Sequence, residues 1–128
     1  MEFESSMINR TMSQTRLNEL FILGIEHFNK GLFYEAHEFW EEIWHTRHGS
    51  EKAFFQALIL LAGVGVHYQK KRFGPADRLL RLAAIRLKES EESISNYFDP
   101  RLLTTIHEHL QNSGIEGIPE LKTINPLV

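Results

Sequence analysis

The 128-residue chain has no cysteine. A disulfide scaffold and a thiolate metal site are both excluded, and the composition fits a reducing compartment. A large positive excess is missing too. The net charge is −3, which argues against a general nucleic-acid binder. The opening stretch "MEFESSMINRTMS" is polar and lacks the apolar stretch of a signal peptide. The longest apolar run, "AFFQALILLAGVGVHY", is about fifteen residues with Gln56 inside it, short of the roughly 20 that span a bilayer. It reads as a buried helix. Together these absences predict a cytoplasmic protein with no transmembrane segment and no generic nucleic-acid binding.

Hydrophobic residues make up 42% of the chain, enough for one folded core in a chain of this length. The apolar residues recur at helical spacing. Leu17, Leu20, Phe21, Gly24, Ile25 and Phe28 mark one face of a first helix from about Gln14, ended by Gly31. A second helix, about Phe33 to Arg47, carries Phe33, Ala36, Trp40, Ile43 and Trp44 on one arc. Both tryptophans are expected to be mostly buried against the third helix. That helix, about Glu51 to Arg72 with Ser50 as cap, is apolar nearly all round and should be the most buried. A fourth helix has Pro75 in its first turn and Ala76, Leu79, Leu80, Ala83 and Leu87 as its inner stripe. Asp99 caps a fifth, with Leu103, Ile106 and Leu110. No strand pattern of comparable strength appears. The expectation is an all-α, single-domain bundle of about five helices over residues 14–114, a flexible tail over 1–13 and a C-terminal strap over 115–128.

The chain also echoes itself. "HFNKGLFYEA" (27–36) and "HYQKKRFGPA" (67–76) align at a shift of forty residues. Each reads as a helix ending in an aromatic, a short turn with basic residues, then an aromatic and a small residue opening the next helix. Helical-hairpin repeats share this logic, but two copies are too few for a solenoid. Two similar hairpins in one bundle are expected.

"EAHEFWEEIW" (35–44) concentrates the chemistry. At about 100° per residue, His37 and Glu41 fall on one edge beside the aromatic arc, at a spacing that lets their side chains meet. Glu35, Glu38 and Glu42 point the other way, as a solvated face. On the third helix Gln56, Leu60, Gly63 and His67 share one line, and Gly63 leaves room for a groove. Gln56 and His67 are about 16 Å apart along it. Antiparallel packing would bring His67 to His37 and Glu41, with His37 largely buried and closer to His67 than to Gln56. Three uses fit these residues. One is a structural hydrogen-bond network. Another is a divalent metal site, His37, Glu41 and His67 being a ligand set for zinc or iron with an open position. The third is a metal-free ligand pocket lined also by Trp44 and Gln56. "HEFWE" is not a zinc-protease motif, since Glu41 stands where a second histidine belongs. No Gly-rich phosphate loop and no nucleophile elbow appears.

Charge is uneven. From Lys70 to Lys88 there are seven basic residues and one acid, and from Glu35 to Glu51 five acids and one arginine. A basic face beside an acidic one suits phosphate or a complementary partner, or simple solvation.

The blocks "FNKGLFYEAHEFWEEIW", "FFQALILLAGVGVH" and "GPADRLLRLAAIRL" resemble the bacterial and archaeal family catalogued as domain of unknown function 309, over about residues 20–90. The resemblance implies a helical, cytoplasmic protein with no established activity. Its motif falls here on Phe28, Asn29, Gly31, Glu35, Ala36, His37, Glu38, Trp40, Glu41, Trp44, Gln56 and His67. Of the family's Q-G-L-I-Q pattern the first glutamine is kept as Gln56, while Ala57 and Leu60 stand at its second and last places. The leading expectation is a binding or interaction module, its partner another protein or a second copy of the chain. The runner-up is a metal-dependent enzyme using His37, Glu41 and His67. A third reading is an adaptor that binds an acidic partner through the fourth helix.

Overall fold

A serine hydroxyl starts the bundle. Ser13, placed in the tail on sequence grounds, accepts a hydrogen bond from the Arg16 N–H at 3.1 Å and caps helix α1, Gln14–Asn29. The computed structural model describes residues 12–94, 96 and 97. After α1 come α2 (Phe33–Trp44), α3 (Gly49–Gln69), α4 (Phe73–Glu89) and a single turn, α5 (Glu91–Ile94). The chain is all-α, with no strand among the described residues. The helix expected at 103–110 and the strap lie outside them.

The two hairpins close with the same turn. In the first, the Leu32 N–H donates to the His27 carbonyl at 2.8 Å and the Gly31 N–H to that of Phe28 at 3.0 Å. In the second, Arg72 donates to His67 at 2.8 Å and Lys71 to Tyr68 at 3.0 Å. Both are Schellman motifs, which need a left-handed residue just past the helix end. Gly31 supplies it at φ +82°, and Lys71 supplies it at φ +58°. The paired aromatics meet in both hairpins, Phe28 with Phe33 at 5.1 Å and Tyr68 with Phe73 at 5.7 Å between centroids. Ala36 and Ala76, one per hairpin, are fully buried.

All six residues assigned to the inner face of the first helix are buried. The second and third helices end sooner than expected, at Trp44 and Gln69. The Thr46 hydroxyl donates to the Ile43 carbonyl at 2.7 Å, taking up an acceptor at the end of α2. Ser50 is not the cap of α3. His48 holds that place without a side-chain bond, and the Ser50 hydroxyl pairs with that of Ser93 at 2.7 Å.

Trp40 is fully buried, but its indole lies on α1. Its Nε1–H donates to the Phe21 carbonyl at 3.4 Å, and its ring sits 5.7 Å from that of Phe28. Gly24 allows this, because a Cβ there would fall inside the indole. Gly65 does the same for Phe33, whose ring occupies the place of a Cβ on α3. At the other end, Phe21, Phe54, Phe55 and Tyr97 form an aromatic cluster, with Tyr97 stacked on Phe54 at 4.6 Å. The Tyr97 hydroxyl donates to Glu51 at 2.6 Å, and Glu51 also meets Arg47 at 3.3 Å. Burial, reinforced by the Glu51 carboxylate, raises the Tyr97 phenol above its usual range. By length and composition α3 alone among the described helices could cross a membrane. Eight of its residues are buried in the core.

Candidate functional site

Two contacts define the open side of α3. On the α2 flank, Lys52 Nζ lies over the Trp44 ring, 4.6 Å from its centroid. On the α4 flank, a Cβ on Gly63 would stand 3.1 Å from Leu79 Cδ1. Between them Lys52, Gln56, Ile59, Gly63, Val66 and His67 are half-exposed and share one arc of the helix.

The α2 edge of this strip carries the expected pair. His37 Nε2 is 3.1 Å from Glu41 Oε2, one helical turn apart, and His45 Nε2 is 3.9 Å from the other carboxylate oxygen. Glu41 therefore sits between two imidazoles. The His37 side chain is 35% exposed and that of Glu41 46%, so water screens the pair and its contribution is about 0–1 kcal/mol. Tyr34 extends the row, its ring 6.0 Å from His37, and the His45 ring lies 5.0 Å from Trp44. Trp44 is only half-buried: it packs against the core from the helix edge, beneath Lys52.

Three ring nitrogens in this region are buried without a hydrogen-bond partner: His37 Nδ1, Trp44 Nε1 and His67 Nδ1. The equivalent histidine of the first hairpin differs. The Nδ1–H of His27 donates to the Leu23 carbonyl at 2.7 Å.

The register corrects one expectation. α2 and α3 do run antiparallel, with Phe33 at Gly65 and Trp44 at Lys52. His37, one turn past Phe33, is then level with about residue 60. That is ~6 Å along the axis from Gln56 and ~10 Å from His67. His37 is half-buried, and it stands nearer the level of Gln56. Among the described residues no three His, Asp or Glu side chains are grouped to hold a metal ion, so His37, Glu41 and His67 are not gathered as a ligand set. The structure joins His37 to Glu41, and Trp44 to Lys52. It leaves Gln56 in the middle of the strip and His67 at its far end.

Two members were missed from the sequence. His45 falls near the end of the helix expected over about Phe33 to Arg47, where its i, i+4 spacing from Glu41 was a usable signal. Lys52 gave no local signal, because its partner Trp44 lies across the connection between α2 and α3.

Nothing among curated proteins and nothing among solved structures matches the chain. A family model does match, over residues 21–79, a stretch that holds the whole of α2 and α3 with parts of α1 and α4. The family is described only as Domain of unknown function (DUF309), and over that stretch the chain resembles it, as its "FNKGLFYEAHEFWEEIW" block implies.

Proposed function

We propose that the protein is a binding module that takes a segment of another polypeptide along the open side of α3, between α2 and α4. The observation behind this reading is the set of buried, unpartnered nitrogens at His37, Trp44 and His67. Buried polar atoms ordinarily have partners, and each one left unmet costs about 1–3 kcal/mol. A segment that lays apolar side chains on Ile59 and Leu79, and turns the rings outward onto its own polar groups as it docks, recovers that cost. The elongated shape of the strip suits an extended or helical segment more than a small molecule. The lack of cysteine supports a reducing, cytoplasmic setting. No comparable observation favours the metal-dependent enzyme.

The test is selection of peptides from a displayed random library against the folded protein, followed by titration of the enriched peptides. Binding should shift the indole N–H resonance of Trp44 and leave that of Trp40, which is bonded to Phe21, in place. His37→Ala and Gln56→Ala should each weaken binding about 5- to 30-fold, the range of an interface hot spot. No enrichment, or enriched peptides indifferent to both substitutions, would refute the reading.

A further inference from the structure

The two Schellman turns lie side by side at one end of the bundle. The Gln69 side-chain amide donates to the Gly31 carbonyl at 2.6 Å, and the Phe33 ring packs on Gly65. This end carries three of the four large hydrophobic residues exposed among the described residues: Leu32 at 43%, Tyr34 at 66% and Phe73 at 55%. Around them stand Lys30, Lys70, Lys71 and Arg72, all exposed. None of the four forms an ion pair among the described residues, and neither do Lys52, Arg78 and Lys88; Arg16, Arg47, Arg81 and Arg86 do. The acids nearest in sequence are Glu26 and Glu35, both exposed, and Asp77, which is paired with Arg81.

Lys71 adds an independent observation. Its place demands a left-handed backbone, the equivalent turn supplies glycine, and here a lysine takes that conformation. Strained non-glycine residues persist where the side chain has a use. At Lys71 the side chain adds a third consecutive cation to the tip.

We propose that this end of the bundle is a docking surface for an anionic lipid bilayer. Lys30, Lys70, Lys71 and Arg72 would meet headgroup phosphates while Leu32 and Phe73 enter the interface. Clusters of four or more cations recognise anionic lipid, and apolar side chains among them add affinity. The choice of a membrane over an acidic protein rests on shape. The exposed apolar side chains lie in and just after two neighbouring turns, beside the cations, and suit a flat, yielding surface. The chain's net charge is −3, so an anionic surface repels it as a whole, and the uneven distribution of its charge orients it, basic end inward and the acidic face of α2 outward.

The test is co-sedimentation with phosphatidylcholine vesicles containing roughly one-third phosphatidylglycerol, against pure phosphatidylcholine, at about 0.1 M salt. The protein should bind the anionic vesicles and not the neutral ones, and high salt should release it. Lys71→Gly should weaken binding about fivefold, and Lys70→Ala, Lys71→Gly and Arg72→Ala together about a hundredfold. Phe73→Ser should weaken it as well. Lys88→Ala, at the other end of α4, should have no effect. Melting curves on each variant separate lost binding from lost folding. Equal binding to neutral vesicles, no binding to anionic ones, or indifference to the triple and Phe73 variants would overturn the proposal. So would preferential binding to polyglutamate, which would make the partner an acidic polypeptide.

Discussion

Replacing Lys71 with glycine should stabilise the protein. Lys71 and Gly31 occupy equivalent places in two turns that share the same hydrogen bonds, and both have positive φ. An L side chain in the left-handed region costs about 1–2 kcal/mol. Glycine removes that strain but enlarges the unfolded ensemble, which costs about 0.4–1 kcal/mol. The net gain is ~0.5–1 kcal/mol, a rise of roughly 2–4 °C in melting temperature for a chain of this length. The reciprocal change calibrates it. A Cβ on Gly31 would meet only the Gln69 amide nitrogen, at 3.6 Å. Gly31→Ala therefore introduces backbone strain without a clash, and should destabilise by about 1 kcal/mol. Urea denaturation of both variants, with unchanged slopes, reads the two effects. A Lys71→Gly protein no more stable than the parent, beside a neutral Gly31→Ala, would refute the equivalence of the turns. Lys71→Gly should also separate two properties, being more stable in solution and weaker on anionic vesicles.

Gly24→Ala should be costly although it adds one methyl group, because the new Cβ would fall inside the buried Trp40 indole. Overpacking of this kind costs about 1–3 kcal/mol, and alanine's better helix propensity returns about 0.8–1 kcal/mol of it; a parent-like denaturation midpoint would contradict the packing of α1 on α2. Tyr97 gives a pH signature: its phenol is held above the ordinary value, so above about pH 10 the unfolded chain releases that proton first and stability falls. Tyr97→Phe should cost about 1 kcal/mol at neutral pH through loss of the bond to Glu51, and the gap to the parent should narrow as pH rises past the unfolded phenol's range. A gap that stays constant through alkaline denaturation would refute the assignment.

What the sequence revealed, and what it hid, follow from the range of the interactions. The inner face of α1 was readable residue by residue, because helical periodicity is local and nothing overrides it. The hairpin repeat was readable too, since a Schellman turn is fixed by about six consecutive residues. The pair His37 and Glu41 was legible for the same reason. The destination of Trp40 was not. Its position on the helix permitted packing towards either neighbour, and the choice was made by Gly24, sixteen residues earlier. The level of His37 against α3 was likewise set at a distance, by the Phe33 ring settling on Gly65. Both glycines act by what they lack, so a search for reactive side chains passes over them. Yet they place the His37–Glu41 edge beside Gln56 and leave His67 to a different neighbourhood. The candidate site is thus positioned by two absent side chains, and a Gly65→Ala substitution that dislodged Phe33 would move His37 without touching any residue of the strip.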